Sequence, residues 1–179
     1  MIFRVSVIAM ILLAGFLHAS VFESDGWNSR VEGLQFLEGT ALRDSAEVLF
    51  KALNACSDKL LKQKQAEKIF AQTLPRGGEA HIFSLVYLAD YSPYASPDTR
   101  LGYLNEAEAL SRIRKKPLLL AWTHDQKSVL YHLFEKYDLS MLEILKARDI
   151  YIRRKAIDYL EVINHRIGDL YYAAGLLDK

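Results

Sequence analysis

Hydrophobic positions recur at spacings of three and four residues over most of the chain, which is the pattern of helices packed against other helices. Between positions 41 and 70 this pattern predicts one continuous helix. Its apolar side comprises Leu42, Ala46, Leu49, Leu53, Cys56 and Leu60. The sequence Pro75-Arg76-Gly77-Gly78 then predicts a turn. The apolar run from Ala80 to Tyr91 fits a buried helix or a strand, and we favour a helix because a lone strand would lack a pairing partner.

Proline residues divide the next part of the chain into two predicted helices. Ser96 or Asp98 is placed to cap a helix that runs to about Lys116. Pro117 then begins a helix that runs to about Tyr137, since proline is favoured in the first helical turn.

The last predicted helix is unusually long. Ser140 and Glu143 have the spacing of a capping box, and apolar positions continue at helical spacing to Leu177. About 37 residues give ~55 Å of helix, whereas the helix before it is ~31 Å long. The sequence thus predicts a hairpin with unequal arms, whose uncovered apolar side would promote self-association.

The N-terminus has the pattern of a secretory signal. Arg4 precedes an apolar stretch from Val5 to Leu17, and Ala19 is a small residue suited to cleavage by signal peptidase. Thirteen residues are short for a membrane span, so we favour cleavage after Ala19 over an uncleaved anchor.

Composition restricts the class of protein further. The chain has 179 residues, of which 51% are hydrophobic and 25% charged, and its formal net charge is +1. Such a chain folds without disulfides or structural metal, and its balanced charge argues against nucleic-acid binding. The lone Cys56 is predicted to be buried. We predict an all-α protein with a signal peptide at 1–19, a helical region at 20–116 and the long hairpin at 117–179.

Few residues are arranged for catalysis. Among His81, His124, His132 and His165, no two are three or four residues apart. His132 with Glu135, and Glu161 with His165, have the spacing of surface pairs, so we expect no metal and no cofactor. The chain has no GxSxG motif, and we predict that it is not an enzyme. Four tyrosines are candidates either for core packing or for lining a ligand pocket. These are Tyr151, Tyr159, Tyr171 and Tyr172.

One stretch of sequence suggests a family. Residues 134–148 read FEKYDLSMLEILKAR, and the following helix closes on Ala173-Ala174-Gly175. Read over residues 117–177, this resembles the C-terminal part of TolC-like outer-membrane efflux proteins. The matching positions are Ser140, Glu143, Leu145, Ala147 and Gly175.

The resemblance implies a location and a partner surface. In that family the Ser-containing turn is the tip of a periplasmic helical hairpin on which an inner-membrane adaptor docks. The residues at this tip would be Lys136, Tyr137, Asp138, Leu139 and Ser140. The chain would then be a truncated or divergent efflux component of the periplasm or outer membrane, with an adaptor, an efflux pump or further copies of itself as partners. It is too short for a complete channel protomer, and we detect no internal repeat. The alternative is a periplasmic helical domain that binds a ligand among its aromatic residues.

Overall fold

The protein is all-α, as predicted from its hydrophobic pattern. The computed structural model describes residues 19–76, 78–92 and 95–175, and within these ranges the regular elements are helices. Nearly all of the predicted signal peptide lies outside the described residues. None of the helices in the described ranges is long and apolar enough to span a membrane.

Nine α-helices follow one another through the described residues, with short 3-10 turns at Leu34–Phe36, Leu53–Ala55 and Leu74–Arg76. They are α1 (Ala19–Phe22), α2 (Asp25–Gly33), α3 (Gly39–Ala52), α4 (Lys59–Thr73), α5 (Gly78–Tyr91), α6 (Pro97–Ile113), α7 (Pro117–Leu133), α8 (Tyr137–Arg153) and α9 (Ile157–Ala173).

Helix α5 is the centre of the fold. Its apolar run buries residues on nearly every side, and it contacts α3, α4, α6 and α7. The helix predicted over Ala80 to Tyr91 is therefore confirmed. Full burial on all sides explains why its sequence lacks the alternation of an amphipathic helix.

The single helix predicted over positions 41–70 is wrong. The chain leaves the helix at Leu53–Ala55, and Asp58 caps a new helix by accepting a hydrogen bond from the Leu61 N–H at 3.0 Å. This break changes the helical register, so Leu60 is 66% exposed although the earlier pattern would place it inward. Cys56 is buried at the break, as predicted, and burial raises the pKa of its thiol.

The prediction of one long C-terminal helix is also wrong. The chain ends one helix at Arg153 and begins another at Ile157, so the predicted hairpin is three helices of 17 residues each. Because the three helices are equal in length, the structure gives no reason for the uncovered apolar side that was predicted, here called the apolar seam. Ile163 and Leu170, which the pattern placed on that seam, are buried among α7, α8 and α9.

Helices α6 to α9 form a structural repeat that the sequence analysis missed. They begin at Pro97, Pro117, Tyr137 and Ile157, 20 residues apart. Each of these helices packs mainly on the helices before and after it in the chain, which is the arrangement of a helical-repeat protein.

Three turns between these helices close in the same way. Lys115, Glu135 and Lys155 each have a positive φ of 53° to 58°. After each helix, one N–H bonds back three residues and the next bonds back five, at 2.9–3.1 Å. This is the hydrogen-bond pattern of a Schellman motif, which usually places glycine at the left-handed position.

Candidate functional site

A groove between α3, α5, α7, α8 and α9 is rich in aromatic side chains. It has a volume of about 710 Å³ and is open to solvent. Five aromatic side chains from α5, α7, α8 and α9 line it: Phe83, Tyr87, Trp122, Tyr151 and Tyr159. We call this the aromatic groove.

The rings of the aromatic groove are fixed by contact with one another. The Trp122 ring lies 4.9 Å from Phe83 and 5.2 Å from Tyr87, centroid to centroid. At the α8–α9 end, Tyr151 and Tyr159 stack in parallel at 4.9 Å. Trp122 is half-buried, and Tyr159 is 53% exposed. Phe83 and Tyr151 are buried beneath them, which leaves Tyr87, Trp122 and Tyr159 as the accessible rings. Rigid accessible rings offer contact area without much loss of conformational entropy on binding.

Five charged residues at the rim of the aromatic groove are paired with each other, whereas Arg154 is not. Glu79 accepts from Lys116 and, at 3.3 Å, from Arg43, while Lys51 lies 2.6 Å from Glu47. The hydrogen bond from Lys116 lowers the pKa of Glu79. Because these five charges are satisfied within the protein, the surface that the groove offers to a ligand is chiefly its accessible rings and Arg154.

Helix α7 carries an unusual set of buried polar residues towards α6 and α8. His124 is 1% exposed, and its Nδ1 lies 2.6 Å from Glu143 Oε2. Lys127 is also buried and donates to Glu108. Burial disfavours the ionised form of Glu108, but hydrogen bonds from Lys127 and Arg112 outweigh it and lower its pKa to about 2. Each buried charge on this side of α7 therefore has a counter-charge, as burial requires.

The other buried polar contacts of α7 join it to α8 and α9. Asp125 accepts from Arg166, although burial still raises the pKa of Asp125. Ser140 Oγ donates to the Ser128 carbonyl at 2.8 Å. Ser140 therefore lies inside α8, which begins at Tyr137, and its side chain is buried against α7. The capping box predicted for Ser140 and Glu143 is wrong.

The predicted histidine and tyrosine positions divide between the interior and the surface. Tyr151 and Tyr159 line the aromatic groove, whereas Tyr171 and Tyr172 are exposed elsewhere on α9. His165 pairs with Asp169 at 3.1 Å rather than with the predicted Glu161. Among the described residues, no three His, Cys, Asp or Glu side chains are grouped to hold a metal ion.

The predicted docking residues lie at and beyond the α7–α8 turn. Lys136, Asp138 and Leu139 are exposed, and Tyr137 is half-buried. Ser140 is 0% exposed, so its side chain is not available to a partner in this conformation. Adaptor docking by this turn stays a prediction.

Most residues of the site carry no signal in the sequence that brings them together. Phe83 and Tyr87 are four residues apart on one side of α5, and Trp122 follows Pro117 by five residues, but nothing in the sequence joins these signals. The sequence offers His124 only as a candidate metal ligand. Its contact with Glu143 depends on the packing of α7 against α8.

Comparison with known proteins gives no family for this chain. No family model matches it, and neither a curated protein nor a solved structure matches it. Its function is therefore inferred from the geometry described above.

Proposed function

We propose that this protein is a helical-repeat binding protein that holds a flat apolar or aromatic group in the aromatic groove. This is the ligand-binding alternative of the sequence analysis, with an open groove in place of an enclosed pocket. The supporting observation is the convergence of five aromatic side chains from four helices on one concave surface. Helical arrays commonly use such surfaces for binding.

The size and lining of the groove favour binding over catalysis. A volume of about 710 Å³ lies in the range of small-molecule sites, which are mostly apolar with a few polar groups. Most of the rim charges are held in pairs within the protein, so the accessible rings supply the contact area. Burial also raises the pKa of Tyr87 to about 12, so its hydroxyl is neutral at physiological pH.

A neutral aromatic dye, N-phenyl-1-naphthylamine, tests this proposal by its own fluorescence. We expect saturable binding at one site per chain. Tyr159→Ala removes an accessible ring and should weaken binding about fivefold, the effect of losing roughly 1 kcal/mol of ring contact.

Tyr172→Ala is the matched control. Tyr172 also lies on α9, is 75% exposed and is not among the residues that line the groove. This variant should bind the dye like the unmodified protein. Equal weakening in the two variants, or no saturable binding to the folded protein, would overturn the proposal.

A further inference from the structure

A second cavity lies beside the aromatic groove and has a different chemistry. It has a volume of about 470 Å³ and is formed by the end of α6, the start of α7 and the second half of α8. Pro117 and Arg154 line both this cavity and the aromatic groove. Four cationic side chains line it: Arg112, Lys146, Arg153 and Arg154. We call it the basic cavity.

Two carboxylates behind the basic cavity are each shared by two basic groups. Glu108 accepts from Arg112 at 2.8 Å and also from Lys127. Glu143 accepts from Lys146 at 2.7 Å and is bonded to His124. Arg112 and Lys127 together carry one more positive charge than Glu108 compensates.

Arg154 adds to this surplus. Arg153 is paired with Asp149, whereas the Arg154 guanidinium has no hydrogen-bond or ion-pair partner among the described residues. With His124 counted as neutral, this group of side chains carries five cations against three carboxylates. The cavity therefore has an excess of two positive charges.

His124 supplies a further polar atom in the wall of the basic cavity. Since a carboxylate only accepts, its Nδ1 carries the proton shared with Glu143. Its Nε2 has no hydrogen-bond partner among the described residues, and the nearest carboxylate oxygen, on Glu108, is 4.0 Å away. An unprotonated Nε2 only accepts a hydrogen bond, so in this position it suits a hydroxyl group of a ligand rather than a phosphate oxygen.

We propose that the basic cavity binds the phosphate group of a small phosphorylated molecule. A phosphate dianion matches the excess of two charges, and guanidinium groups bind phosphate oxygens through paired hydrogen bonds. The recess focuses the field of these cations on its interior, which favours a small anion over a flat charged surface. This site does not depend on the aromatic groove being a binding site.

Isothermal titration with glycerol 3-phosphate tests the site, with sodium chloride at matched ionic strength as the reference. We expect saturable binding at one site per chain. Arg154→Gln should weaken it about tenfold, as expected for the loss of one charged, paired hydrogen-bonding group. Because Arg154 is exposed and unpaired, the variant leaves no carboxylate without its partner and should keep its helical circular dichroism.

Lys155→Gln is the matched control, because it removes the same charge from the adjacent residue, which does not line the cavity. It should change the affinity less than twofold by weakening only the general field. Equal loss in both variants would show nonspecific attraction and overturn the proposal. The absence of any binding heat beyond that of the chloride reference would also overturn the proposal. Dye binding in the aromatic groove is measured separately with a neutral compound, so failure of one site is distinguishable from failure of the other.

Discussion

Each buried charge along α7 is stabilised by one particular partner. Glu108 is the clearest case, because Lys127 is almost wholly buried and has this carboxylate as its counter-ion. Removing one member of such a pair costs more than the pair itself contributes, since the remaining charge loses its partner without regaining water. Single substitutions here should therefore have larger effects than equivalent changes on the surface.

Glu108→Gln tests this pair through its pH dependence. The folded-state pKa of Glu108, about 2, lies below its ordinary value of 4.5, so its stabilisation is complete above pH ~4.5 and is lost as pH falls towards 2. At pH 7 we expect the variant to lose about 2 kcal/mol of unfolding free energy. Urea unfolding from pH 7 to pH 3 measures the free energy of unfolding of both proteins. The difference between the variant and the unmodified protein should become smaller as the pH falls.

The control for this measurement is Glu161→Gln. Glu161 is an exposed carboxylate on α9 with no ion pair among the described residues. Its substitution should leave the unfolding free energy nearly unchanged at each pH. A Glu108→Gln deficit that stays constant with pH would contradict the assigned role of Lys127 and Arg112.

The helices α6, α7 and α8 end at residues in a conformation that their side chains disfavour. A left-handed backbone costs a residue other than glycine about 1–2 kcal/mol, and Lys115, Glu135 and Lys155 all adopt it. The turns persist because each is over-determined by two backbone hydrogen bonds and by the packing of the helices that it joins.

Lys155→Gly should stabilise the protein by about 0.5–1 kcal/mol. Glycine removes the strain at φ 53°, and part of this gain is offset by the greater freedom of the unfolded chain. Thermal unfolding measures the change. In contrast, Glu161→Gly within α9 should cost about 1 kcal/mol, as glycine does in a helix interior. If Lys155→Gly were also destabilising, α8 and α9 would not be separated by the turn described here.

These turns also explain which elements the sequence could predict. Ser96 and Pro117 are residue types that favour the start of a helix, so the sequence predicts where α6 and α7 begin. The apolar run of α5 is long enough to predict a buried helix. The turn at Lys155 has no glycine or proline, and Ile152 and Tyr159 continue the helical spacing across it. The apolar spacing therefore continues through the turn and predicts one helix, whereas the structure has two.

The 20-residue repeat was hidden for a related reason. At corresponding positions, three of the helices share Asp98, Asp138 and Asp158 in the first turn, and three share Tyr131, Tyr151 and Tyr171 near the end. One position late in the helix is aliphatic in all four. These residues are Leu110, Leu130, Ile150 and Leu170. Repeats that conserve geometry through turn structure rather than residue type leave a weak signal in one sequence.

At the scale of the whole molecule, the fold brings together aromatic residues that lie far apart in the chain. The all-α class follows from the hydrophobic spacing, but the aromatic groove depends on how α5, α7, α8 and α9 meet. Single-sequence reasoning identified Tyr151 and Tyr159 as candidates and had no means of joining them to Phe83 or Trp122. The signal peptide, the location in the cell envelope and the efflux resemblance stay predictions.

The two tryptophans offer the most direct test of ligand binding in the aromatic groove. Trp122 lines the groove, whereas Trp27 is 4% exposed and its indole N–H donates to Gln65 Oε1 at 2.9 Å in the core around α2 and α4. In a proton–nitrogen correlation spectrum their two indole signals are assigned with Trp27→Phe and Trp122→Phe. On titration with N-phenyl-1-naphthylamine, the Trp122 signal should shift saturably while the Trp27 signal stays in place. Binding of the dye that leaves the Trp122 signal unchanged, or that shifts the Trp27 signal instead, would contradict the assignment of the groove as the binding site.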